Sequence, residues 1–319
     1  MASVPFSTLM EDAGHGGYAV GYFESWNLES LAAVAEAAEA TRSPVILGFS
    51  GIYLPQPGRV VQDRLSWYYR LGREVCDGLS VPACLLFNES ADRGWVEEAV
   101  ALGFDLVMFS DEALSPQEQT HAVAEVVRGA HARGVAVEGE LSPLPGAGTG
   151  VGAPAGGGSE RPGGDDPEDA ARFVAETGVD ALAVSVGQAH LHGRRLVSLD
   201  HERLRRLHDA VGVPLVLHGA SSVAPGEIQA AVRAGIRKIN VGSVLKRVFF
   251  DALMEAGGKA RNLVTGDYNP YEVVGSGTAA DVLAAARLAM RAKVEELMEL
   301  FGSAGRAGGS RAPAGETGE

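Results

Sequence analysis

Short runs of apolar and β-branched residues alternate with longer amphipathic runs along most of the chain. The short runs, bounded by Gly, Pro or polar residues, read as buried strands. The longer ones repeat their apolar positions with helical spacing. Strands are predicted at residues 17–23, 44–50, 82–88, 106–109, 135–141, 181–186, 214–218 and 236–241. Helices are predicted at 28–40, 60–77, 95–102, 116–132, 167–177, 200–210, 225–234, 243–256 and 279–300. Ser115 followed by Pro116 marks one helix start, because Pro is preorganised for the first helical position. Eight such strands separated by helices predict an α/β fold, a closed (β/α)8 TIM barrel. An open doubly wound sheet is the alternative arrangement.

The barrel is expected to be one domain over residues 1–301. Two stretches have no period. Residues 143–166 are rich in Gly, Pro and Ala and are expected to form a mobile loop after the fifth strand, on the side where barrels do their chemistry. Residues 302–319 read as a disordered, low-complexity tail.

Composition narrows the function. Against 27 Lys and Arg stand 41 Asp and Glu, a net charge of −14, which argues against a nucleic-acid or anionic-membrane partner. The two cysteines, Cys76 and Cys84, make no disulfide framework. There is no basic-then-apolar leader and no apolar run of spanning length. A reduced, cytoplasmic setting is expected.

Barrel chemistry sits at the C-terminal ends of the strands. There the sequence places Ser50, Asn88-Glu89, Ser110-Asp111, Glu138 and Glu140, His190, His218-Gly219 and Asn240-Val241-Gly242-Ser243. Two histidines from adjacent strands with a carboxylate such as Glu89 could make a three-ligand open metal site. On the pattern alone His192 competes with His190, and either could be an ordinary loop residue. Gly219, Ser221, Gly242 and Ser243 lie in small-residue turns after strands seven and eight, where barrels often bind phosphate through backbone N–H groups and a helix start. Lys246 could add charge there, with a solvated lysine as the default.

At this point four segments, YAVGYFESWNLES, VPLVLHGASSV, AGIRKINVGSVLK and LFGSAGRA, resemble the class II, metal-dependent fructose-1,6-bisphosphate and tagatose-bisphosphate aldolases, over residues 5–306. The resemblance implies one divalent ion, Zn2+, per subunit, a small phosphorylated sugar as substrate, and a homodimer or homotetramer. It carries ligand roles onto His190 and His218, with the spacing from Gly187 to Leu199-Asp200 favouring His190 over His192. It carries phosphate contacts onto Gly219, Ser221, Gly242 and Ser243, and a dihydroxyacetone phosphate contact onto Asn240.

Five positions depart from the family pattern, Ser243 among them, which replaces a Thr and keeps the hydroxyl. Leu191 replaces a Gly, and Phe23-Glu24 replaces an FN pair. Asn88 and Glu89 stand where the family has its proton-transfer Asp and a ligand His. An amide cannot exchange a proton at neutral pH. Glu89 can still ligate, and Glu24, Asp111, Glu140 or an acid of the 143–166 loop could move the proton. The expected activity is therefore aldolase-type cleavage of a ketose phosphate or bisphosphate through a zinc-stabilised enediolate. The alternatives are a different enediolate reaction in the same pocket, such as isomerisation or epimerisation, and a binding barrel without turnover.

Overall fold

The computed structural model describes residues 3–56, 58–141, 164–188, 196–259, 266 and 268–308. Eight parallel strands, β1 (Val20–Ser25), β2 (Val45–Ser50), β3 (Ala83–Ser90), β4 (Leu106–Phe109), β5 (Ala136–Glu140), β6 (Ala181–Ala183), β7 (Leu215–Leu217) and β8 (Ile236–Val241), pair in chain order. Pairing of β1 with β8, Val20 opposite Lys238 and Tyr22 opposite Asn240, closes the barrel. The expected (β/α)8 architecture is what forms, and the open sheet is excluded.

After an N-terminal α1 (Phe6–Gly16), the outer layer comprises α2 (Leu28–Thr41), α3 (Leu65–Gly78), α4 (Arg93–Leu102), α5 (Pro116–His131), α6 (Pro167–Thr177), α7 (His201–Ala210), α8 (Pro225–Arg233) and α9 (Ser243–Lys259). A short α10 (Pro270–Val273) and a long α11 (Val282–Leu300) follow. Local chemistry sets several starts. Asn27 with Ser30, and Ser115 with Glu118, form reciprocal capping boxes, and Asp166 accepts from two N–H groups of α6. None of the described helices is long and apolar enough to cross a membrane.

Strand alternation divides the core in two. Outward residues such as Phe23, Phe49 and Phe87 pack under the helices. Inward residues such as Tyr22, Ile46, Leu86 and Val216 join Phe6, Leu9, Met10 and Ala13 of α1. The period reading missed α1, which follows no strand; it packs into the barrel interior at the N-terminal end. Part of the stretch expected to be a free tail makes backbone bonds: Gly305 N–H donates to Thr41 and Ala307 N–H to Arg42. Residues 309–319 lie outside the described residues.

Gly48 shows how tightly β2 and β3 are laid together. A Cβ there would collide with the backbone carbonyl of Leu86. Backbone cannot swing aside as a side chain can, so Gly48→Ala is expected to destabilise the fold by about 2–4 kcal/mol, near the upper range of overpacking. Denaturant titration measures this, and an unchanged midpoint would contradict the packing described.

Candidate active site

The inward side chains at the C-terminal strand ends meet above this core. Glu24 of β1, Ser50 of β2, Asn88 of β3, Glu138 and Glu140 of β5, His218 just after β7 and Asn240 of β8 all project there. Alternation alone would send Glu89 outward. Instead the β3–β4 register shifts between Phe87 and Ser90, and Glu89 takes φ +56°. That conformation is unfavourable for a non-glycine residue, by on the order of 1–3 kcal/mol. It delivers Glu89 to the centre, where ligand atoms of Glu89, Glu140 and His218 all lie within 4.8 Å of one another. Among the described residues this is the cluster with metal-ligand chemistry.

His218 is held from beneath. Its Nε2 lies 2.7 Å from Glu138 Oε1, and Glu138 Oε2 lies 2.7 Å from Lys238 Nζ; both Glu138 and Lys238 are fully buried. Lys238 also donates to Asn240 Oδ1, and its ammonium sits 5.3 Å from the centre of the Tyr22 ring. Asn240 Nδ2 approaches the same His218 Nε2 at 2.8 Å. One ring nitrogen cannot donate to Glu138 and accept from Asn240 together. The charged carboxylate favours a proton on Nε2, which would leave Nδ1 as the ring atom available to an ion.

These charges reset one another. Burial raises the Glu138 carboxyl, but Lys238 and His218 outweigh it and hold it down at about 2. Burial lowers Lys238, partly offset by Glu138. His218 is raised despite burial, because Glu138 and Glu89 favour the imidazolium. Glu89 has its carboxyl pushed up to about 7 by burial, against the pull of His218, with Glu140, Glu24 and Glu138 adding to the rise. Burial also raises Glu140, whose Oε1 accepts from Ser110. Carboxylates are thus in surplus at one point, a balance that a divalent cation would correct.

The remaining predicted residues fall as follows. Asn88 is buried between Glu89 and Asn240, with amide contacts of 3.4 Å to each. Ser50 is opposite Asn88 in the ladder, and its hydroxyl accepts from Ile52 N–H at 3.3 Å. Gly219, at φ +66°, opens the single 3-10 turn Ala220–Ser222 that contains Ser221. Gly242 and Ser243 form the start of α9. Asp111 caps its own turn by accepting from Ala113 N–H. His190 and residues 142–163, most of the expected loop, lie outside the described residues. The loop's end is anchored, since Asp165 accepts from Ser185 N–H at 2.6 Å. A cavity of about 910 Å3, lined by Ser110, Asp111, Glu140 and Asp165 among others, opens beside the cluster.

Two features escaped the pattern reading. Lys246 is not simply solvated: its Nζ pairs with Glu24 Oε1 at 2.6 Å and sits 4.0 Å from the Tyr53 ring centre. Lys238 is the second: a lysine within an otherwise apolar strand must find a buried partner. The available signal was a pair of charged strands, EGE and KIN, whose inward positions coincide.

A closed parallel barrel with polar and carboxylate chemistry at its C-terminal mouth defines a barrel enzyme scaffold. The family described as Fructose-bisphosphate aldolase class-II matches residues 4–306, and the chain belongs to that family. A fructose-bisphosphate aldolase of Geobacillus stearothermophilus is 31% identical over 314 residues, covering 96% of this chain and 99% of that protein. A sulfofructosephosphate aldolase of Alkalicoccus urumqiensis is 28% identical, covering 96% and 99%. The crystal structure of the YdjI aldolase from Escherichia coli K12 superposes with a TM-score of 0.76 at 27% identity, covering 96% of this chain and 99% of that one.

Proposed function

We propose that the protein is a metal-dependent aldolase-type carbon–carbon lyase that cleaves or forms a ketose phosphate or ketose bisphosphate. The observation that carries this reading is the convergence of Glu89, Glu140 and His218 at the barrel mouth of a chain from this family. An imidazole with carboxylate oxygens suits Zn2+, and the local excess of carboxylates favours a dication. Glu89 and His218 would hold the ion, together with His190. When bound, the ion polarises the substrate carbonyl as a Lewis acid.

The chain's own groups supply the rest. Glu138 fixes the tautomer and orientation of His218, and Lys238 fixes Glu138. The Asn88 and Asn240 amides offer hydrogen bonds to substrate oxygens. Cleavage requires a base for the hydroxyl on the carbon that becomes the aldehyde. Asn88 cannot serve, so Glu140 would take that proton, a role supported by its burial beside Glu89 and its bond with Ser110. The family reading also carries a cytoplasmic setting and a homodimer or homotetramer.

The test combines metal analysis with a cleavage panel of ketose phosphates, fructose 1,6-bisphosphate included. About one zinc per chain is expected, with turnover lost on chelation and regained on adding zinc. A chain that binds no ion and cleaves nothing in the panel would sink the reading.

A further inference from the structure

The head of α9 is already filled by the protein itself. Glu24 projects from the end of β1 so that its Oε2 lies close against Gly242, where a Cβ would collide with it. Its Oε1 pairs with Lys246 Nζ at 2.6 Å, and the Glu24 side chain is 13% exposed. Lys246 is in turn packed over the rings of Tyr53, at 4.0 Å, and Trp26, at 5.7 Å. The bare face of Gly242 and the cation one turn into α9 are what an anion would use at a helix start. A carboxylate on a neighbouring strand has taken both.

From this arrangement we infer that Glu24 determines specificity: the substrate group received at the head of α9 is a hydrogen-bond donor, a hydroxyl or an ammonium, and not a phosphate. A phosphate dianion there would lie against a carboxylate and would have to take Lys246 from it. Burial strengthens both penalties, because like charges repel more where water is excluded. A hydroxyl or ammonium instead donates to Glu24 and leaves its pair with Lys246 intact. The ketose then carries its phosphate at another position. This refines the aldolase reading by naming the end group, and rests on that reading only for the reaction.

The experiment compares the full-length, zinc-loaded protein with Glu24→Gln and Glu24→Asn. Condensation with glyceraldehyde 3-phosphate is measured using dihydroxyacetone or dihydroxyacetone phosphate as the donor, and inorganic phosphate binding is measured by calorimetry. The wild type is expected to favour dihydroxyacetone. Each variant should shift the ratio of kcat/KM toward the phosphorylated donor at least tenfold, mainly through KM, and bind inorganic phosphate at least tenfold more tightly. Unchanged or weaker phosphate binding in both folded variants would overturn the role given to Glu24. If neither donor reacts in any of the three proteins, the aldolase reading falls, while the phosphate titration still decides the question of Glu24.

Discussion

Replacing His218 by alanine is expected to remove the bound ion and to lower ketose-phosphate cleavage by more than roughly 100-fold, beyond what loss of an outer partner of a ligand commonly costs. The substitution removes the imidazole of the described cluster and leaves Glu89 and Glu140 facing each other. Two buried carboxylates without a shared cation resist ionising together, so one takes up a proton and ceases to be an effective ligand. Metal content by mass spectrometry, read beside the melting temperature, separates loss of the ion from loss of the fold. A folded His218→Ala protein with a full complement of zinc would refute the ligand assignment.

The largest effect on stability is expected from Lys238→Met. Lys238 and Glu138 are both fully buried and 2.7 Å apart. Removing Lys238 leaves the Glu138 charge in a dry interior with His218 as its one remaining ionic partner, and breaking a buried pair in this way typically costs about 3–5 kcal/mol. Adding Glu138→Gln to Lys238→Met should recover much of the loss, because no full charge is then left behind. That double variant would still lack the carboxylate that orients His218, so its activity should stay low. Urea unfolding of the wild type and both variants, with a turnover assay, measures both effects. Equal destabilisation of the single and double variants would show that Glu138 and Lys238 do not act as a pair.

The barrel was legible because its cause is repetitive. Each strand is a short apolar run and each helix a longer amphipathic one, and eight repeats leave few ways to bury the strands. The second strand lies within a residue of its expected bounds; the first begins three residues later than expected, because Gly17 and Tyr18 continue the apolar run although they follow the C-terminus of α1. His218 and Asn240 were legible as strand-end residues. The meeting of Glu89 with Glu140 was only half legible. Their positions are in the sequence, but Glu89 reaches the centre by itself taking a left-handed conformation that Gly or Asn would ordinarily adopt. The pairs Glu138–Lys238 and Glu24–Lys246 join residues 100 and 222 positions apart, which only barrel closure brings together.

Helix α1 has a consequence for access. By sealing the N-terminal end with Phe6, Leu9 and Met10, it makes the cylinder blind at that end. Among the described residues, whatever reaches the side chains at the mouth therefore comes and goes over the opposite rim, so a molecule lodged there obstructs entry and exit alike.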